Sequence, residues 1–256
     1  MRSFGELADL SGRGALVVGG AGHIGRVACA VLRELGAEVV SADLPSTPGP
    51  EGFDTLAVDL HDEDATRALI PAAVDRLGRL DVLVHTAAYT GASTSAGWAT
   101  VFDQQSVEAW DRAHRVNVTS AFVLAQAAQA PLAASGHGSM VLVSSIYGFL
   151  APDFRIYADT DMHSPAGYSA SKAGLLQLMR YLATLLAPEI RVNAISPGGV
   201  ARGQDAAFVT RYERGTPLGR MASEEDLQGA IGYLASDLSA YVTATNLPID
   251  GGRSAW

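Results

Sequence analysis

Ala15-Leu16-Val17-Val18-Gly19-Gly20-Ala21-Gly22-His23-Ile24-Gly25 is the stretch on which the fold turns. A short apolar run leads straight into a glycine-rich turn, and the turn opens an amphipathic helix. Ile24, Val27, Ala28, Val31, Leu32 and Leu35 fall at i, i+3, i+4, i+7, i+8 and i+11, one stripe of a 3.6-residue repeat. Gly36 is the expected C-cap. Gly19, Gly22 and Gly25 have GxxGxxG spacing, which permits a tight turn and a close approach of backbone to a pyrophosphate seated on the helix N-terminus. Glycine-rich turns are common, so the position between strand and helix is what gives this one weight. Asp43 adds to it: it ends the second apolar run 18 residues after Gly25, where a carboxylate can hold ribose hydroxyls. The plainer alternative for Asp43 is a helix or turn cap ahead of Pro45.

Outward from this unit the pattern repeats. Strand-like runs at 15–18, 38–42, 55–58, 81–85, 139–143, 191–195 and 246–249 alternate with helical stripes, among them Leu175, Leu178, Met179, Leu182 and Leu185 before Pro188. Alternation of this kind requires parallel pairing with crossovers. The expected fold is a Rossmann-type, doubly wound α/β sheet of about seven parallel strands with helices on both faces. No repeat or linker divides the chain, so residues 1–256 are expected to form a single domain. A net charge of −9 argues against a nucleic-acid surface. The single cysteine, Cys29, rules out a disulfide framework and fits a reducing cytoplasm. No apolar run is long enough to span a membrane, and the six histidines show no ligand spacing, so neither membrane nor metal is expected.

Tyr168-Ser169-Ala170-Ser171-Lys172 places a phenol and an ammonium at i and i+4, on one helix face. A cation ~4 Å from the phenol at an effective dielectric of ~20 is worth roughly 4 kcal/mol, about a thousandfold in acidity. That would make Tyr168 a working general acid/base at neutral pH. Taken alone, the pair is equally an exposed tyrosine and a solvated lysine.

Four further matches give the chain its resemblance to the short-chain dehydrogenase/reductase family, from about residue 10 to residue 252. Tyr168 and Lys172 match the family's YxxxK motif, and Ser144-Ser145-Ile146-Tyr147-Gly148 resembles the segment whose second serine, here Ser145, positions the substrate oxygen. Asn117, in Arg115-Val116-Asn117-Val118, stands where an asparagine holds a relay water beside the lysine. Arg191-Val192-Asn193-Ala194-Ile195-Ser196-Pro197-Gly198 resembles the segment beside the nicotinamide, and Asp59, otherwise readable as an N-cap, maps to an adenine-binding aspartate. The resemblance implies NAD as cofactor, held by Gly19, Gly22, His23, Ile24, Gly25, Asp43, Asp59, Leu60, Ala87, Ala88, Tyr168, Lys172, Pro197, Gly198 and Val200. It also implies a homodimer or homotetramer, with the alanine-rich helix of 121–134 and the helix after Tyr168 as subunit surface.

The chain departs from that pattern at several places. His23 replaces a glycine, His85-Thr86-Ala87-Ala88 stands for Asn-Asn-Ala-Gly, and Arg202 occupies a position where a threonine often bonds the nicotinamide amide. Ser145 and Tyr168 are 23 residues apart, about ten more than usual. The inserted segment 150–167, beginning Leu150-Ala151-Pro152-Asp153-Phe154-Arg155-Ile156-Tyr157, and the ending Asp250-Gly251-Gly252-Arg253-Ser254-Ala255-Trp256 are similar to flagellin-modification protein A-like oxidoreductases. That likeness leans the substrate toward a polar, sugar- or polyol-like secondary alcohol or ketone. Tyr147, Arg155 and Gly199 are candidate substrate contacts, Arg155 as the fork for a carboxylate or phosphate. Tyr147 and Trp98 either line the cleft or pack.

Three functions compete. Hydride transfer between NAD and an alcohol or ketone uses every motif found. A sugar-nucleotide epimerase or dehydratase is suggested by GxxGxxG and His-Thr-Ala-Ala, but such enzymes usually carry a C-terminal substrate domain. A non-catalytic dinucleotide-binding redox sensor typically lacks the tyrosine or the lysine, and here both are present.

Overall fold

The computed structural model describes residues 1–90 and 95–255. Trp256, the last residue of the quoted C-terminal motif, lies outside them. The strands are β1 (Gly14–Val18), β2 (Glu38–Asp43), β3 (Asp54–Ala57), β4 (Val82–His85), β5 (Gly138–Val143), β6 (Ile190–Pro197) and β7 (Asn246–Ile249). The helices are α1 (Phe4–Ala8), α2 (His23–Glu34), α3 (Glu63–Leu77), α4 (Val107–His114), α5 (Ser120–Ser135), α6 (Ala166–Leu186), α7 (Ala206–Arg214) and α8 (Gln228–Ala235). All seven strands pair in parallel in the order β3-β2-β1-β4-β5-β6-β7, so the expected α/β sheet is present.

Both faces of the sheet are apolar because successive side chains alternate between them. Leu16, Val18, Leu83, Met140, Leu142, Val192 and Ala194 join Leu69 of α3, Leu124 of α5 and Leu175 of α6 in one core. Ala15, Val17, Val82, Val84, Val141, Val143 and Ile195 join Ala28, Cys29 and Leu32 of α2 and Ile231 and Leu234 of α8 in the other. Burial pushes the Cys29 thiol up to about 12, so it acts as a small packed residue.

The chain reverses direction across the sheet between β1 and β4, whose carboxyl ends open into a crevice. One element there was not foreseen. Between α4 and α5 the helix takes a π turn at Arg115–Thr119, which carries the buried Asn117. Such single turns are frequent at functional sites.

Candidate active site

A cleft of about 900 Å³ runs along the carboxyl ends of the strands. Its first half is made by backbone. Gly19 has φ +82°, and a Cβ there would stand 2.4 Å from the Ala87 nitrogen; one on Gly25 would stand 2.1 Å from the Gly19 carbonyl oxygen. Only glycine fits either position. Gly22 is the N-cap of α2 and offers no side chain to its first turn, so the helix start is open to the cleft that it lines with His23, Ile24 and Gly25. Thr86 wedges the turn from the side, donating to the carbonyls of Val18 and Gly19 at 2.9 Å each. A cradle that a Cβ would fill, beneath an uncapped helix end, fits a dinucleotide diphosphate.

Asp43 is neither a helix cap nor free. One carboxylate oxygen accepts from the Ala21 nitrogen (2.9 Å) and the other from the Leu44 nitrogen (2.8 Å), which ties β2 to the glycine turn. Asp59 also lies on the cleft and accepts from the backbone and ring of its neighbour His61 at 3.0 Å each. The backbone N–H of His61 holds that carboxyl below its usual range even though burial opposes it. The N-cap of α3 is Asp62, which settles the alternative reading of Asp59. Leu60, Ala87, Ala88, Pro197, Gly198 and Val200 all line the same cleft.

The second half is made by side chains. Tyr168 and Lys172 lie one turn apart on α6, with the Lys172 nitrogen 5.7 Å from the phenol ring centre. Lys172 is 1% exposed and donates to the Val143 carbonyl at 2.8 Å. Ser144 follows β5, and its hydroxyl donates to the Lys172 carbonyl at 3.0 Å and braces α6. Ser145 lines the cleft with Tyr168, and its hydroxyl acts to lower the phenol's pKa. Asn117 accepts from the Tyr89 nitrogen (2.7 Å) and donates to Ser171 (2.8 Å), pinning the residue beside Lys172.

The electrostatics correct one expectation. Burial raises the Tyr168 phenol above its usual value, and the groups that lower it are Ser145 and Arg202 rather than Lys172. Burial also pushes the lysine down, to about 7. The cause is common to both: each charged form has lost its water. His85 is buried beside them and held near 3, first by burial and then by the Lys172 charge. Ser120 donates to the Val116 carbonyl (2.6 Å), so its oxygen receives the His85 Nε2 proton (2.8 Å). Among the described residues His85 Nδ1 has no hydrogen-bond partner.

The three candidate substrate contacts separate. Tyr147 lines the cleft, with its hydroxyl 2.8 Å from that of Tyr157. Arg155 does not: its side chain is 91% exposed and folds onto Asp153 through two bonds of 2.8 and 3.0 Å. Gly199 lies behind the cleft, in a small cavity of about 140 Å³, and donates to the Tyr212 hydroxyl at 2.5 Å. Trp98 packs edge-on against Tyr89 and is buried off the cleft. The inserted segment instead contributes Tyr157, Met162, His163, Ser164 and Pro165, and Ile156 anchors it among Phe208, Tyr212 and Met221. Ser164 and Gln204 were not foreseen; no motif or period marks a single polar residue in a loop. Among the described residues no cluster of metal-ligating side chains occurs, and no helix is long and apolar enough to cross a membrane.

Comparison with known proteins agrees with this geometry. The family model described as enoyl-(acyl carrier protein) reductase matches residues 19–254. A cis-4-hydroxycyclohexanecarboxylate dehydrogenase of Sinomonas cyclohexanicum is 32% identical over 95% of this chain and 97% of its own. An L-rhamnose 1-dehydrogenase (NAD(P)(+)) of Sphingomonas sp. is 31% identical over 95% and 96%. The crystal structure of a short-chain dehydrogenase from Leptospira borgpetersenii with bound NAD+ superposes with a TM-score of 0.85 at 31% identity, covering 99% of this chain and 96% of that one. With the cleft, the glycine cradle and the buried tyrosine–lysine pair in place, the chain belongs to the short-chain dehydrogenase/reductase family and is an oxidoreductase that uses a nicotinamide dinucleotide.

Proposed function

We propose that this protein is an NAD-preferring dehydrogenase, or ketone reductase in the reverse direction, for a polar secondary alcohol of cyclic or sugar-like form. The observation that carries the reading is the meeting of Ser145, Tyr168 and the buried Lys172 on the wall of one dinucleotide-sized cleft. When bound, the nicotinamide supplies the hydride acceptor or donor. Tyr168 exchanges the hydroxyl proton, Ser145 orients the substrate oxygen, and Lys172 supports the phenol and the ribose. Asn117 serves the proton relay from its π turn. Gly19, Gly22, His23, Ile24, Gly25, Asp43, Asp59, Leu60, Ala87, Ala88, Pro197, Gly198 and Val200 make the dinucleotide site. A carboxylate at the end of β2 supports NAD, because it would repel a 2′-phosphate.

The hydroxyl-lined wall of Tyr147, Tyr157 and Ser164 supports a substrate with several polar groups, as do the names of the relatives. The chain is read as one catalytic unit in the cytoplasm. Exposed apolar side chains on α4 (Val107, Trp110), α5 (Phe122) and α6 (Tyr181, Leu185) support a dimer or tetramer. Light scattering checks the assembly, and a monomer at micromolar concentration would overturn it. A panel of cyclic hydroxy acids, aldohexoses and polyols, each offered with NAD+ and NADP+ and followed by nicotinamide absorbance, tests the activity. Turnover of a cyclic or sugar-like alcohol with NAD+ is expected. Turnover only of acyclic apolar alcohols would overturn the substrate class.

A further inference from the structure

Two of the departures from the family pattern, His23 and Arg202, meet through a third residue. Glu224 Oε1 lies 3.2 Å from Arg202 Nε and 3.5 Å from His23 Nδ1. The three side chains come from the start of α2, the segment after β6 and the turn before the 3₁₀ helix at Glu225–Leu227. Backbone sets the register of the last two: the Ala201 nitrogen donates to the Ala222 carbonyl (2.8 Å), and the Ala222 nitrogen to that of Gly199 (2.9 Å). Gln204 accepts from the Arg202 nitrogen (2.6 Å) and donates to the Val200 carbonyl (2.7 Å). The turn that carries Glu224 is fixed in its own right, since Arg220 grips Asp226 with bonds of 2.6 and 2.7 Å and Asp226 accepts from the Ser223 nitrogen.

Burial works against the Glu224 charge, but its own backbone N–H and the Arg202 guanidinium prevail and keep it ionised. Exposed ion pairs of this kind contribute little to stability, so the bridge calls for another role. It has one in the cleft. Arg202 and His23 both line it, beside Gly22 and Ile24 at the open start of α2. Only Arg202 Nε is spent on Glu224; among the described residues its two terminal nitrogens have no hydrogen-bond partner, and they form a planar fork suited to two oxygens of one phosphate.

We propose that Arg202, held by Glu224 and braced through it on His23, is a clasp that grips the diphosphate of the dinucleotide from across the cleft. The inference rests on the dinucleotide use established above and not on the choice of substrate.

Fluorescence titration with NADH, and displacement of NADH by ADP-ribose or by adenosine, tests it. Arg202→Leu should weaken NADH and ADP-ribose at least about tenfold and leave adenosine, which carries no phosphate, unchanged. Arg202→Lys keeps the charge but loses the fork, and should fall between. Glu224→Gln should weaken NADH and ADP-ribose about three- to fivefold and add nothing to Arg202→Leu, because it acts through the arginine. Tighter binding in Glu224→Gln would mean that the acid only repels the diphosphate, and would overturn the clasp. So would dinucleotide affinities within twofold of wild type in Arg202→Leu, whether or not the KM for a carboxylate substrate rises. An equal loss for adenosine would do the same, since it marks general damage to the site.

Discussion

The floor and the rim of the cleft are built on opposite principles. On the floor, Lys172, His85, Asn117 and Ser144 are buried, and each is bonded to backbone or to another buried side chain. On the rim, His23 and Asp59 sit in water and pair with one near neighbour each, as Arg155 does outside the cleft. Loss of water moves the floor groups far from their ordinary acidities, and the lysine reaches about 7. The rim pairs are screened and contribute little to stability. In the proposed function the chemistry belongs to the floor, while the rim adjusts which molecule is held.

The sharpest way to break this division is Tyr168→Phe. It should lower kcat by about 10²–10⁴-fold with NADH affinity nearly intact, because the phenol handles the proton while the rest of the cleft holds the dinucleotide. Wild-type turnover on a true substrate would remove the floor from the chemistry. Lys172→Ala, by contrast, should reduce both turnover and NADH binding.

Acid stability reads the floor independently of activity. The folded His85 titrates near 3 and the unfolded one near 6.5, so between those values the unfolded chain takes up a proton that the folded chain refuses. Stability contributed at this site is therefore lost as pH falls through that window, about 2 kcal/mol of it by pH 5. His85→Asn should flatten the melting-temperature profile there; an unchanged slope would show that the histidine is not held neutral.

Smaller effects belong to the rim. NAD should be preferred over NADP at least tenfold, about 1.4 kcal/mol, and Asp43→Ser should bring the two within about threefold. Paired Kd measurements decide, and a variant that still discriminates tenfold would move the preference to another residue. The smallest change is expected from Arg155→Ala, with KM within about twofold of wild type, since the guanidinium already faces solvent and Asp153. A tenfold rise in KM would show that the loop turns inward on binding and would blur the boundary between floor and rim.

The sheet, the glycine cradle and the tyrosine–lysine pair could all be read before any coordinates. Each is a short-range pattern: short apolar runs in β4 and β5, the 3.6-residue stripe of α2, glycines where a Cβ would strike Gly19 or Ala87, and i and i+4 on one helix. Local sterics and periodicity act over a few residues, so a few residues suffice to show them. What tertiary structure alone decided is which side chains from distant segments share a space, and which groups lose their water. The Tyr147–Tyr157 contact, the outward turn of Arg155 and the placing of Gly199 behind the cleft depend on how α7 and the inserted segment pack over the sheet, and the Arg202–Glu224–His23 bridge on the pairing of the Ala201 and Ala222 backbones. The Tyr168 phenol shows the same limit in energy. Spacing put a cation near it, but the burial that raises it is a property of everything packed around it, and no window of sequence contains that.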